Sequence, residues 1–171
     1  MTWLGSRLGR GVGRLALCVV AAATAAVLMA PTAVASPETD AGDAINQAWE
    51  AAGGADSIVG SKDGDVYQVG DGYGQNFTGG NVFCTPATGA RLISGAILAK
   101  YQALCGPADS DLGFPTIDEA TGLVGPDSRV STFSAGDKPA LFWTPDTGAW
   151  VVRGAINAAW DKLGGSAGAL G

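Results

Sequence analysis

The sequence predicts an α+β repeat protein. Each unit is read as one helix plus a short β-hairpin, with units packed side by side as a linear array or a propeller-like ring. Two observations carry this. The stretches AINQAWEAAGG (Ala44 to Gly54) and AINAAWDKLGG (Ala155 to Gly165) share Ala, Ile, Asn, Ala, Trp and a closing Gly-Gly, and AILAKYQALCG (Ala96 to Gly106) keeps Ala-Ile, an aromatic and the last Gly. FTGGNVFCTPATGA (Phe77 to Ala90) lies over FSAGDKPALFWTPDTGA (Phe133 to Ala149), with three extra residues in the second copy. Self-similarity at steps of this size marks a repeat architecture.

The amino terminus is read apart from the repeats. Arg7, Arg10 and Arg14 precede the apolar run Leu15 to Ala30, and Ala33-Val34-Ala35 is an A-x-A site. This predicts a secretory signal peptide over residues 1–35. A retained anchor is the alternative, but the run falls short of the roughly 20 residues that span a bilayer. Cys18 follows Leu17, not a small residue, and the arginines are not adjacent, so neither a lipoprotein nor a twin-arginine signal is read. Without the leader, seven basic residues face sixteen acidic ones, a net charge of −9. That balance disfavours nucleic acid, whose phosphates are neutralised by Lys and Arg, and anionic lipid surfaces.

The remainder divides into 36–92 (a degenerate first unit), 93–152 (a second) and 153–171 (a partial third, helix only). The third copy stops at Leu170-Gly171, so its helix is either a cap or part of a longer product. In each unit an apolar stripe at i, i+4 and i+7 defines one helical face: Ile45/Trp49/Ala52, Ile97/Tyr101/Leu104 and Ile156/Trp160/Leu163. The aromatic of that stripe is read as core in preference to a sugar platform. Asp43 and Ser94 are expected N-caps, and Gly53-Gly54 and Gly164-Gly165 are helix stops. SKDGDVYQVGDGYG (Ser61 to Gly74) reads as a polar loop; Asp63, Asp65 and Asp71 lack the EF-hand spacing, so no metal is expected. Phe77 and Phe133 are expected to open strands. VFCTPATGA and LFWTPDTGA read as strand and P-x-T-G turn, and Ala149 to Val152 as the strand that leads into the next helix. One helix and two strands cannot enclose a core alone, so the units are expected to lean on one another.

Three features bear on chemistry. The sequence has no His, which removes Ser-His-Asp triads, Cys-His pairs and His-rich zinc sites. Asp118 and Glu119 are adjacent in a turn and read as solvated, not as an acid/base pair. Asp146 of PDTGA carries the D-T-G signature of aspartic proteases, but the matching turn has Ala87, which favours a plain β-turn. Cys84 and Cys105 both depart from the repeat. Export predicts a disulfide between them, closing a loop of about 20 residues; two small buried residues are the alternative.

These residues resemble the LGFP repeat family. Gly154-Ala155-Ile156 with Trp160 and Gly164-Gly165 is similar to the head of its unit. Leu112-Gly113-Phe114-Pro115 with Asp118-Glu119 is similar to its name motif, and Phe133 and Phe142-Trp143-Thr144-Pro145 with Gly148-Ala149 to its tail. Unit one departs, with Val59-Gly60-Ser61-Lys62 in place of Leu-Gly-aromatic-Pro. The resemblance implies export in actinobacteria with mycolate-bearing envelopes. It also implies non-catalytic, cofactor-free association with the cell wall, whose peptidoglycan–arabinogalactan polysaccharide would be the partner. Trp143, Trp150, Asp118 and Glu119 are the candidate glycan-binding residues, with Tyr73 a further exposed aromatic. The alternatives are a scaffold that docks an envelope protein or another such chain, and a carboxylate-dependent glycan hydrolase.

Overall fold

The computed structural model describes residues 35–121 and 125–164. The expected signal peptide up to residue 34, and the third copy's Leu170-Gly171, lie outside the described residues.

Helix α1 (Pro37–Ala51) is capped by Ser36, seven residues before the expected cap Asp43, which lies inside it. The Ser36 hydroxyl accepts the Thr39 amide at 3.2 Å, Pro37 occupies the first turn, and Glu38 and Asp40 place negative charge at the positive end of the helix dipole. The helix stops where expected, at Gly53 and Gly54, both with positive φ.

Strands β1 (Tyr67–Val69), β2 (Gly72–Phe77), β3 (Gly80–Thr85) and β4 (Gly89–Ser94) form an antiparallel sheet in sequence order. Helix α2 (Gly95–Ala103) and the single turn α3 (Gly106–Asp109) follow. A second sheet, also in sequence order, is built from β5 (Ala120–Thr121), β6 (Arg129–Thr132), β7 (Ala140–Thr144) and β8 (Gly148–Val152), and α4 (Gly154–Lys162) comes after it.

The sheet element therefore has four strands, not the expected hairpin. Phe77 closes β2 instead of opening a strand, Phe133 makes an isolated bridge to Pro115, and the expected polar loop contains β1 and the start of β2. The P-x-T-G turns form as expected. Thr85 Oγ1 accepts the Thr88 amide at 3.0 Å, and Thr144 Oγ1 accepts that of Thr147 at 3.1 Å.

Side chains alternate across β3. Val82 and Cys84 join Ala41 and Ile45 of α1, with Leu92 of β4, in one core; Phe83 and Ile93 face the other way, into a core with Ile97, Leu98 and Tyr101 of α2. That second core also contains Leu112, Phe114, Phe133 and Leu141, so α2 packs against both sheets. The first sheet is covered on both faces, which is why every residue of β3 is buried.

The expected Cys84–Cys105 disulfide is not formed; both thiols are free. Cys84 is buried on the α1 face of β3, whereas Cys105 is exposed just after α2, the helix that covers the opposite face, so the sheet stands between them. Cys105 has φ 69°, the left-handed conformation that Gly53 and Gly164 adopt at the matching positions.

Candidate functional site

The Leu112–Pro115 corner is built around one carbonyl. Gly113 has φ 73°, and its carbonyl accepts the Tyr101 hydroxyl at 2.5 Å. The Phe114 amide donates to Ser134 Oγ at 2.9 Å, the Ala135 amide to Leu112 O at 3.0 Å, and Tyr101 stacks at 4.8 Å on Phe133. Unit one repeats each contact with different residues. Gly60 has φ 78° and its carbonyl accepts Trp49 Nε1–H at 2.8 Å. The Ser61 amide donates to Thr78 Oγ1 at 3.1 Å, the Gly79 amide to Val59 O at 2.7 Å, and Trp49 lies 6.1 Å from Phe77. A Cβ on Gly60 or Gly113 would come within 2.4 Å of the Thr78 or Ser134 hydroxyl, so glycine is required at both. The corner is thus a lock between a helix aromatic and the loop that follows it.

The rest of the motif reaches the preceding sheet. The Phe114 ring lies where it would stand 2.8 Å from a Cβ on Gly72 of β2, so the Phe114 edge closes directly on that backbone. Asp118 Oδ1 accepts the Leu92 amide at 3.0 Å. Glu119 Oε2 accepts the Ser94 amide at 2.9 Å and its hydroxyl at 3.2 Å, and the Glu119 amide donates to Leu92 O at 3.0 Å. These bonds occupy the open edge of β4. Glu119 is buried, with Arg129 Nε at 3.6 Å from its other oxygen. Burial pushes its carboxyl above the usual range, and the Ser94 donors and the Arg129 charge pull the other way. Both carboxylates, read from the sequence as solvated and as candidate glycan contacts, are therefore bound to main chain. Ser94 is the N-cap of α2 by position, yet its hydroxyl serves Glu119 instead of the helix.

The two candidate tryptophans separate. Trp143 is half-buried against the α2 core. Trp150 is 62 % exposed; its Nε1–H donates to Thr147 O at 2.6 Å, and Lys100 Nζ sits 5.5 Å from the ring centre. Beside it, a cleft of about 420 Å³ is lined by Asp127, Ser128, Thr144, Asp146 and Thr147. Tyr73 is half-buried in β2, its ring on a separate cavity below α1. Among the described residues no three His, Cys, Asp or Glu side chains converge as metal ligands, and no helix is long and apolar enough to cross a membrane.

A family model described as the LGFP repeat matches residues 62–109 and again 112–168. The chain belongs to the LGFP repeat family. No curated protein matches it. Each matched LGFP segment contains one sheet and the helix that follows it, so the repeat in this chain is sheet-then-helix at least as well as helix-then-sheet. The departures of unit one from the LGFP pattern now have a cause. Ser61 stands for Phe114 and Val66 for Glu119, the two positions that grip the preceding sheet in unit two. Val66 instead packs in the core under α1. Lys62 stands for Pro115; its ammonium lies 5.0 Å from the Trp49 ring and bonds Asn46 Oδ1. Sequence reading missed Thr78, Ser134 and Arg129. The signal for the first two was available, since each directly follows the repeated Phe77 or Phe133.

Proposed function

We propose that this protein is a secreted, non-catalytic module that associates with the cell wall through its peptidoglycan–arabinogalactan polysaccharide. The observation that carries the reading is the exposed Trp150 indole beside a cleft that presents the Asp127 and Asp146 carboxylates, the Ser128, Thr144 and Thr147 hydroxyls there being bonded within their turns. An indole face stacks on the C–H face of a sugar ring, and carboxylates accept hydrogen bonds from its hydroxyls. Asp118 and Glu119 hold this surface in place by fixing β5 to the sheet before it. Their engagement with β4 also argues against the hydrolase alternative, which needs a pair free to meet substrate.

The test is retention of the purified protein on insoluble, protein-free wall, with and without arabinogalactan. Retention is expected, and Trp150→Ala should lose most of it, about tenfold in affinity for one stacking ring of 1–2 kcal/mol. Equal retention of Trp150→Ala and wild type would sink the Trp150 site. Failure of both to bind would sink the wall reading itself.

A second reading, a scaffold for another protein, has its own observation. Ile156 of α4 is 74 % exposed and Leu163 56 %, whereas Ile97, at the matching position of α2, is fully buried by the sheet that follows it. Phe142 and Trp160 meet edge to face at 5.1 Å, as Phe83 and Tyr101 do at 5.7 Å, so α4 sits on its own sheet as α2 does. Retention on wall only when a protein partner is added would favour this reading.

A further inference from the structure

A cavity of about 530 Å³ lies between the first three turns of α1 and the end of the β3–β4 hairpin. Pro37, Ala41 and Ala44 line it from the helix, and Tyr73, Cys84 and Pro86 from the sheet. That volume is in the range of small-molecule sites, about 300–1,000 Å³.

Its origin is a substitution within the repeat. Cys84 pairs with Ala90 and precedes Thr85-Pro86; Trp143 pairs with Ala149 and precedes Thr144-Pro145. The two positions are equivalent, and each side chain points at the helix that begins its unit: Cys84 into the α1 core, Trp143 into the α2 core. Sheet two fills this position with an indole. Sheet one has a thiol there, and α1 extends over it from Pro37, with Tyr73 directly across from Cys84 in the β2–β3 register.

We propose that this cavity is a binding site for one uncharged aromatic ring of about indole size. The sister unit shows that the sheet accommodates such a ring at this position. A saccharide fits poorly, because its hydroxyls would find few partners. Thr85 Oγ1 is already engaged with Thr88 at 2.9 Å, which leaves only the Asp40 carboxylate and the Tyr73 hydroxyl among the lining side chains. Asp40 also disfavours an anionic ring. The cavity is on sheet one and the proposed wall surface on sheet two, so either stands without the other.

The ring belongs either to a small aromatic molecule or to a tryptophan side chain of a partner polypeptide, and two probes distinguish them. Alkylation by a neutral thiol reagent is followed peptide by peptide, with exposed Cys105 as the internal control. Indole is expected to slow alkylation of Cys84 severalfold and leave Cys105 unchanged. Protection by N-acetyl-tryptophanamide as well assigns the ring to a polypeptide; protection by indole alone assigns it to a small molecule. Calorimetric titration of indole into Cys84→Trp, which installs the ring covalently, and into Ala44→Leu, which narrows the cavity from the helix, should each show affinity lower by about tenfold or more. Cys84 alkylation unaffected by saturating indole would overturn the proposal. So would a folded Ala44→Leu variant that binds indole as wild type does.

Discussion

At the scale of single residues, the carbonyls of Gly60 and Gly113 show how one sequence feature is spelled in two ways. Trp49 and Tyr101 both donate to the glycine carbonyl of the following corner, one through an indole and one through a phenol. Tyr101 is fully buried, and its hydroxyl cannot exchange this partner for water. Tyr101→Phe should therefore cost about 1–2 kcal/mol in chemical denaturation, because a buried carbonyl loses its donor; a cost near zero would show that the carbonyl finds another. Cys105 holds a left-handed conformation that its counterparts meet with glycine. Cys105→Gly should stabilise by about 0.5–1 kcal/mol, the relief of Cβ strain less the added chain entropy, and a loss of stability would contradict it. Glu119 has a folded-state pKa raised by burial. Its favourable contribution is therefore complete below the unfolded value of about 4.3 and is lost as pH rises through the raised folded value. In unfolding free energies measured from pH 4 to pH 7, wild type should lose ground against Glu119→Gln as pH rises above about 4.3, until the raised folded value is passed. A gap that stays constant with pH would refute this.

At the scale of elements, the helices were the most legible in sequence. The Ile-x-x-x-aromatic stripe located them because one helical face is apolar and the Gly-Gly stops are unambiguous. The start of α1 was misplaced because Ser36, its cap, falls at the expected leader boundary, while Asp43 looked like a cap from inside the helix. Strands β1 and β2 were hidden. Gly70, Gly72 and Gly74 interrupt any apolar alternation there, and β1 has only three residues. Two of those glycines have a packing reason: Phe114 from the next unit closes onto Gly72, and Tyr67 and Phe83 onto Gly74. The site was less legible than the fold. Asp118 and Glu119 stand in a turn next to Pro115 and read as solvent-facing, because sequence cannot show that an open strand edge, β4, lies within reach. Phe114→Ala should cost roughly 3 kcal/mol through the lost ring and the void it leaves, and Gly72→Val should be comparably harmful, since its side chain would collide with the Cys84 carbonyl as well as with the same ring. A near-neutral Phe114→Ala in thermal or denaturant melts would show that the motif aromatic is not a wedge between sheets.

At the scale of the whole molecule, the name motif is chiefly an instrument of contact between one sheet and the next. Its leucine and phenylalanine fill the shared core, its glycine locks the helix, and its two carboxylates hold the previous edge strand. Unit one lacks the phenylalanine and the glutamate, and there Lys62 lies over the Trp49 ring. The sheets themselves differ in what they leave open: a thiol-floored cavity in the first, an exposed indole in the second. Helix α2, which packs against both sheets at once, decides how the protein yields under load. Tugged apart, the two described sheets could not separate without tearing that helix from one of them. That helix is where a pull on the two sheets would be borne.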